Sequence, residues 1–339
     1  MLLQRNFGQV LSCALGVLAI YLSVAALVAC AKGNPSGVLS DEQPTAAELI
    51  GEERLLDDES LLPDHDARWV DESQFDRLLA EPISGDWSSQ WLPTGLIYHP
   101  YFAGMHEPRM AIVAFREVDD RSLWDATLGG QVGLWRLGDD NHFRPQGYQL
   151  DFYGAAIARL DVENRQDLDS TDYVFGLPLT YGIDDWQFKL GYAHVSSHLG
   201  DELAIREPGA LAERINYVRD SLVFGTSHFP HPICRLYGEL SWAFHCSGGA
   251  DPLETQFGTE LSRPGPTGPW GTPFLALNAH LSQEFDFGGQ STAQFGWLRR
   301  GETGQTLRVG VHYFNGKSSQ LQFLNDSEQQ IGMGLWYDF

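Results

Sequence analysis

The second half of the chain is a succession of long segments in which apolar and polar residues alternate. Between about Gly95 and Phe339, segments of roughly 9 to 15 residues are separated by turn-rich stretches. A period of two predicts β-strands, because successive side chains of a strand point to opposite faces. Strands of soluble proteins average about 5–6 residues, whereas strands that cross a bilayer need about 9–11. The pattern therefore predicts an all-β fold, a transmembrane antiparallel β-barrel of about twelve strands over residues 92–339.

The predicted strands follow directly from the alternation, and the last one has the clearest pattern. They cover residues 108–118, 122–137, 147–161, 171–183, 186–198, 213–226, 233–246, 253–262, 273–286, 290–301, 305–315 and 329–339, and 92–102 is a further candidate. Between Ile331 and Phe339 every odd position is apolar or aromatic. This segment resembles the C-terminal sorting signal of bacterial outer-membrane barrels, although an ordinary core strand would also alternate. The resemblance implies a bacterial outer-membrane location and dependence on the outer-membrane insertion machinery.

The N-terminus has the features of an export signal. Arg5 precedes an uncharged, mostly apolar run over residues 10–29 that ends in small residues. The sequence leaves two cleavage reactions open: residues 27–30 resemble a lipobox, which would leave Cys30 lipidated, and an A-x-A rule permits cleavage after Ala31. An uncleaved anchor is the alternative, since twenty residues can span a bilayer. We expect residues 1–31 to be a signal peptide.

Acidic residues dominate the charge of the chain, with a formal net charge of −23. Residues 41–86 alone contain 15 acidic and 3 basic side chains, so we predict an acidic periplasmic linker with short helices over residues 32–91. The whole chain has only three lysines. Binding to nucleic acid needs clustered Lys and Arg, and it is therefore excluded.

A polar pair interrupts the apolar face of the predicted strand 186–198. His194 and Ser196 share a face with Trp186, Phe188, Leu190 and Tyr192, whereas Lys189 lies on the other. In a membrane barrel the apolar face meets lipid, so His194 and Ser196 would point into the outer leaflet. Polar groups facing lipid are costly unless they satisfy each other, which makes the pair a candidate site. His194 would deprotonate Ser196 for attack on an acyl carbonyl.

A third side chain is expected to orient the imidazole of His194. The next predicted strand begins at residue 213 and pairs antiparallel beside the first, with Asn216 near its upper end. Asn216 is the predicted orienting residue, and the alternatives are Glu202, Glu213 and Asp220.

Two resemblances to known families extend this interpretation. The stretch Gly191–Asp201, followed by Asn216, resembles the active-site region of the outer-membrane phospholipase A family, and barrel-borne lipid A deacylases carry a similar His-x-Ser pair. That resemblance implies a twelve-stranded barrel, catalysis by His194, Ser196 and Asn216 on its lipid-facing surface, and a calcium ion near Asp201. Asn216 lies further from Ser196 than the spacing of that family.

The second resemblance covers most of the predicted barrel. Leu92–Met110 and Tyr313–Ser319 are similar to an uncharacterised bacterial family, domain of unknown function 1207. This similarity implies an exported bacterial protein and brings no established activity with it.

Three classes of function remain compatible with the sequence. The first is a barrel that hydrolyses the acyl esters of a membrane lipid through His194, Ser196 and Asn216. The second is a porin-like or structural barrel without enzymatic activity, in which His194 and Ser196 are polar groups at the membrane boundary. The third is a soluble β-sandwich anchored through a lipidated Cys30.

Overall fold

The computed structural model describes residues 87–117, 121–141 and 144–339. The chain divides into two units, Met1–Asp71 and Glu72–Phe339, and all described residues belong to the second. The predicted signal peptide (1–31) and most of the predicted acidic linker (32–91) lie outside the described residues. The strands are β1 (Ser88–Trp91), β2 (Met110–Glu117), β3 (Ser122–Gly138), β4 (Gly147–Asp161), β5 (Asp167–Ile183), β6 (Trp186–Leu199), β7 (Val218–His231), β8 (Cys234–Ser247), β9 (Leu253–Ser262), β10 (Thr272–Ser282), β11 (Gly288–Arg300), β12 (Thr306–Lys317) and β13 (Ser327–Asp338). The helices are α1 (Asp201–Arg206) and α2 (Pro208–Ala212), with short 3₁₀ turns at Gln283–Phe285 and Leu321–Phe323.

Within the described residues, twelve strands, β2 to β13, pair antiparallel in chain order and close into a barrel. The seam joins the first strand to the last, with Ile112 opposite Leu335 and Phe115 opposite Gly332. Apart from residues 129–134 of β3, which lie between β1 and β2, closure leaves these strands without free edges, so their backbone hydrogen bonds are satisfied without help from solvent. The predicted all-β barrel is therefore confirmed.

The barrel is apolar outside and polar inside. On its outer surface Leu190 is 56% exposed and Ile331 64% exposed. Similar exposed side chains come from most strands, among them Ile112, Leu128, Phe152, Leu177, Leu222, Phe224, Leu240, Trp242, Phe295, Trp297, Val309, Met333 and Leu335. The buried interior instead contains many charged groups, including Asp125, Asp151, Arg159, Asp172, Arg219, Arg235, Glu260, Arg308 and Asp338. A continuous exposed apolar surface with a polar interior is the arrangement of a membrane barrel, because hydrocarbon is the solvent of the outer face.

Residues 92–109 form a plug inside the barrel. Ile97, Tyr101 and Ala103 are fully buried, although no regular strand or helix includes them. Tyr101 stacks on Tyr237 of β8, with ring centroids 3.9 Å apart. Phe102 and Ala103 belong to an apolar cluster of lumen-facing side chains from Val113, Phe115, Leu123, Phe274, Ala276, Leu298 and Trp336. The candidate strand 92–102 is thus irregular chain that fills the lumen.

Buried arginines of the barrel wall hold the plug through its carbonyl oxygens. Arg136 donates to Thr94 and Gly95, at 3.1 and 2.9 Å, and Arg235 donates to His99 at 2.9 Å. A backbone without regular structure must have its carbonyl groups satisfied when it is buried. The guanidinium groups provide those donors, which explains why a polar lumen accommodates the plug.

The plug interrupts one barrel strand. β1 pairs with the end of β3, with Trp91 opposite Trp135, and β2 pairs with its beginning, with Met110 opposite Leu128. Both run antiparallel to β3, so they are two halves of one strand position, separated by residues 92–109.

A second segment closes the lumen at the other end. The loop 318–326, between β12 and β13, folds inward, and Ser319 and Gln320 are almost completely buried. Asp172 of β5 accepts hydrogen bonds from the amide of Leu321, at 3.0 Å, and from the His106 ring of the plug, at 2.9 Å. One carboxylate therefore joins both closing segments.

The two ends of the barrel differ in their connections. At the end that contains the C-terminus, the β5–β6 and β7–β8 turns comprise only residues 184–185 and 232–233. At the opposite end, which we call the loop end, residues 200–217 join β6 to β7 and include α1 and α2. No helix among the described residues is long and apolar enough to cross a membrane.

Candidate functional site

The candidate site lies on the outer surface of β6 and β7, near the loop end. Along β6, Gln187 and Ser197 are buried and face the lumen, whereas Trp186 and Leu190 are exposed. His194 has the same parity as Trp186 and Leu190, so it points outward as the sequence predicts. Ser196 lies two residues further on the same face. The β6–β7 register places His194 opposite Asp220 and Ser196 opposite Val218.

His194 and Asp220 form a hydrogen-bonded pair. The Nδ1 atom of His194 lies 2.8 Å from Oδ1 of Asp220, and both side chains are 21% exposed. Tyr192, two residues before His194, donates its hydroxyl proton to the same carboxylate oxygen at 2.5 Å. Because Nδ1 is engaged by the carboxylate, the Nε2 atom is left as the proton acceptor of the ring.

Aromatic rings frame this pair. The imidazole of His194 stacks on Phe175 of β5, with ring centroids 4.8 Å apart and planes at 28°. Tyr192 contacts Phe244 of β8, with centroids 6.3 Å apart. These contacts limit the rotation of the histidine ring and surround the carboxylate with apolar surface, so both are oriented before any ligand arrives.

Ser196 is partly buried next to the pair. Its neighbours across the sheet are Tyr173 on β5 and Val218 on β7. Its hydroxyl has no hydrogen-bond partner within the part of the chain that the structure describes. Bonds between nucleophile and base are frequently loose before a substrate binds.

The structure does not bring Asn216, the predicted orienting residue, to His194. β7 begins at Val218, five residues later than the predicted strand, because residues 200–217 form the loop that contains α1 and α2. Asn216 is exposed in that loop. Asp220, one of the alternatives, is the residue that meets the imidazole. A signal for Asp220 was present in the sequence, since it is the one carboxylate on the face of Val218–His231 that also carries Val218, Leu222 and Phe224.

Asp201 lies away from any recognisable metal site. It is exposed in the first turn of α1. Within residues 87–117, 121–141 and 144–339, no group of three or more His, Cys, Asp and Glu side chains could hold a metal ion. The calcium ion near Asp201 stays a prediction, and we derive no chemical step through it.

Ion pairs fasten the loop 200–217 beside the site. Arg206 of α1 donates to Asp167 at 2.8 Å and to Asp169 at 3.1 Å, both on β5. Burial acts to lower the pKa of Arg206, but its hydrogen bonds to these two carboxylates raise that pKa above its ordinary value. The loop is thus tied to β5, the strand next to β6.

The arrangement contains the parts of a serine hydrolase site. It offers a hydroxyl, an imidazole with Nε2 free, and a carboxylate on Nδ1, and these are the roles of nucleophile, base and orienter. It faces the apolar surroundings of the barrel, so an ester that reaches it would come from the membrane.

Comparisons with solved structures find outer-membrane phospholipases. No curated protein matches the chain. The outer membrane phospholipase A of Escherichia coli aligns with a TM-score of 0.46 and 10% identity, over 68% of this chain and 94% of the enzyme. The calcium-bound dimer of the Salmonella typhi outer membrane phospholipase aligns with a TM-score of 0.45 and 11% identity, over 68% of this chain and 92% of that protein. Similarity at this level carries no information about reaction or ligand.

A family model covers most of the chain. The model described as a protein of unknown function, DUF1207, matches residues 53–339, which include the whole barrel, the plug and His194, Ser196 and Asp220. The segment Leu92–Met110, where the sequence showed its resemblance, is the plug and the first residue of β2. The chain belongs to the DUF1207 family.

Proposed function

We propose that this protein is an outer-membrane enzyme that hydrolyses acyl esters of membrane lipids, with Ser196 as nucleophile, His194 as base and Asp220 as orienter. The single observation that carries the proposal is the 2.8 Å contact between Nδ1 of His194 and Asp220 on the lipid-facing surface. A charged carboxylate in such a position is costly, and a functional role explains why it is there.

The proposed reaction follows the roles of the three groups. Nε2 of His194 takes the hydroxyl proton while Oγ of Ser196 attacks the acyl carbonyl carbon. Asp220 stabilises the imidazolium that forms, and Tyr192 holds the carboxylate in position. The tetrahedral intermediate collapses, the alcohol leaves with the proton from His194, and water then hydrolyses the acyl-serine by the reverse sequence.

The height of the site favours a lipid substrate. His194 lies eight residues along β6 from Trp186, near the opposite end of the strand. At about 3.3 Å per residue, the two residues are about 26 Å apart along the strand. With a typical tilt of about 35–45°, the pair sits roughly 20 Å above Trp186, near the edge of an apolar band about 25 Å tall. Ester groups of lipids lie at that boundary, and their acyl chains would run along Leu190, Leu222 and Phe224.

The closed lumen argues against the porin-like alternative. The plug and the inward loop 318–326 occupy the interior from opposite ends, and Asp172 joins them. Porins need a continuous water-filled channel. A structural barrel without activity remains the competing function, and the experiment below separates the two.

The test uses the purified full-length protein in detergent, with diacyl phospholipid and lipid A as substrates and release of fatty acid as the readout. We expect wild type to release fatty acid and Ser196→Ala to lose at least about 10³-fold in rate. Ser197→Ala is a matched control, because Ser197 is the next residue on β6 and faces the lumen. It should retain full activity.

A second readout identifies the nucleophile directly. A fluorophosphonate probe should label wild type on the peptide that contains Ser196, and both Ser196→Ala and His194→Ala should lose the label. Absence of hydrolysis in wild type, or equal rates in wild type and Ser196→Ala, would leave the structural barrel as the answer.

A further inference from the structure

A cavity opens at the end of the barrel that contains the C-terminus, on the opposite side of the plug from the loop 318–326. Its volume is about 90 Å³, whereas one water molecule needs about 10–15 Å³ on the same measure. Its lining includes Arg144, Arg235, Arg300, Gln187, Glu260 and Asp338. Three arginines in one small cavity are notable because the chain as a whole has a net charge of −23.

The two carboxylates of the cavity are already paired with arginines other than Arg300. Asp338 pairs with Arg308 at 2.8 Å and with Arg109 at 3.3 Å. Glu260 pairs with Arg235 at 3.4 Å and accepts the amide proton of Phe102 at 2.7 Å. Neither carboxylate depends on Arg300, and the positive charges around them outnumber the negative ones.

Arg300 has no carboxylate partner of its own among the described residues. Its guanidinium donates only to neutral oxygens: Oγ1 of Thr306 at 3.2 Å, the carbonyl of Arg263 at 2.8 Å and Oγ of Ser262 at 3.4 Å. A guanidinium has five N–H donors, so two remain for a ligand. A partly buried cation that no carboxylate contacts directly is costly, and an anion in the cavity would reduce that cost.

The side chain of Gln187 favours a ligand that carries a hydrogen-bond donor as well as a negative charge. Its side chain is 5% exposed, and its Oε1 atom is buried without a hydrogen-bond partner among the described residues. An unsatisfied buried acceptor costs free energy until a donor reaches it. The cavity therefore offers free N–H donors and one free acceptor.

We propose that this cavity binds a protonated phosphate group, with its charged oxygens on Arg300 and its hydroxyl donating to Gln187. At pH 6, carboxylates and sulfate are deprotonated and bring no donor, whereas a phosphate monoester, with a second pKa of about 6, keeps its second proton in about half of the molecules. The group belongs either to free phosphate or to a lipid headgroup on that side of the membrane. This proposal is independent of the hydrolase site.

The test measures binding of inorganic phosphate at pH 6 to the full-length protein in detergent, by isothermal titration calorimetry. We expect Arg300→Gln to weaken phosphate binding by at least about tenfold, the effect of losing a charged hydrogen-bond donor. Arg299→Gln is the matched control, because it removes the same charge from the adjacent, exposed residue on the outer face. It should bind phosphate as wild type does. Heat-modifiable migration on gels checks that each variant is folded.

Sulfate and a short-chain phosphatidic acid complete the test. Wild type should prefer phosphate to sulfate by at least about fivefold, and Gln187→Leu should abolish that preference. Competition by dihexanoyl phosphatidic acid would assign the site to a lipid headgroup, and failure to compete would assign it to the free anion. Equal phosphate affinity in wild type and Arg300→Gln, or no saturable binding in wild type, would overturn the proposal.

Discussion

Asp220 is an ionisable residue on a surface that otherwise faces hydrocarbon. Its cost in that position is reduced by the His194 ring and by the Tyr192 hydroxyl, which both contact the same oxygen. A hydrogen-bonded pair of this kind is held in one geometry by its apolar surroundings. Whether the site can perform chemistry therefore depends on the contacts of this one carboxylate.

Replacement of Asp220 tests its role as orienter. We expect Asp220→Asn to lower kcat for fatty-acid release by about 10²–10⁴-fold with little change in KM, because the amide holds the imidazole in the wrong tautomer. Kinetics of the detergent-solubilised protein measure this effect.

Asn216→Ala is the control for the orienter, since the sequence favoured Asn216 and the structure places it in the loop. It should change kcat by less than about twofold. Loss of activity in Asn216→Ala together with normal activity in Asp220→Asn would assign the role to Asn216 instead.

A second residue predicts a dependence on pH. Glu284 lies in the 3₁₀ turn at the loop end, where burial, followed by the nearby Glu254 carboxylate, raises its pKa. A carboxyl group whose pKa is raised by folding stabilises the fold at pH values below its ordinary pKa. That contribution is lost as the pH rises through the pKa of the folded state. At pH 7.5 the ionised Glu284 therefore destabilises the protein.

Glu284→Gln should raise the unfolding temperature at pH 7.5 and have no effect near pH 3. A gain on the order of 1 kcal/mol corresponds to about 2–4 °C for a protein of this size. The temperature at which the heat-modifiable gel band disappears measures this change in the unfolding temperature. Asp286→Asn, an exposed carboxylate in the same turn, should leave the midpoint unchanged at both pH values. An equal shift at pH 7.5 and pH 3 would contradict the titration of Glu284.

At the scale of elements, β12 and β13 hold the plug through a buried ion pair. Arg308 is fully buried, contacts Asp338 at 2.8 Å and Gln294 at 2.8 Å, and lies 4.1 Å over the ring of Phe102. Removal of Arg308 would leave part of the negative charge of the buried Asp338 carboxylate uncompensated. Such a loss typically costs about 3–5 kcal/mol.

Arg308→Met should therefore lower the free energy of unfolding by about 3–5 kcal/mol, measured by urea unfolding in lipid vesicles. Arg299→Met is the matched control, and we expect it to change stability by less than about 0.5 kcal/mol. Similar losses in both variants would mean that the buried ion pair contributes no more than an exposed arginine.

The sequence predicts the barrel strands well and the plug poorly, and the reason is physical. Alternation reports which face of a strand meets an apolar environment, so it locates strands such as β6 and the outward parity of His194. The plug has no period, because its partners come from β3, β8 and β12, which are far apart in the chain. The sequence ranked Asp220 only as an alternative to Asn216 for a related reason, since the loop 200–217 moves the start of β7 five residues further along the chain.

At the scale of the whole molecule, the filled interior predicts a barrel that does not conduct ions. β1 and β2 occupy one strand position on either side of residues 129–134 of β3, a gap of about 20 Å. Six residues in extended conformation would bridge it. A variant in which six Gly and Ser residues replace residues 92–109 should thus retain the barrel and lose the plug.

Planar bilayer recordings test this prediction. Wild type should be silent, and the variant should show single-channel steps, since the lumen then keeps only the loop 318–326. Cation-selective steps are expected from the variant, because eight carboxylates and only three arginines line the cavity at the loop end. Equal conductance in wild type and variant would mean that the plug does not seal the interior.

The divided first strand also sets the order in which the molecule can be assembled. Both ends of the plug are fixed to the same neighbour, β3, while the ring of strands is completed only where β13 meets β2. Once that last junction is made, eighteen residues could enter only through an end of the barrel or through the gap between β1 and β2. Enclosing the plug before the ring is sealed avoids that passage, so we expect the final strand to be synthesised to lock in a segment made near the beginning.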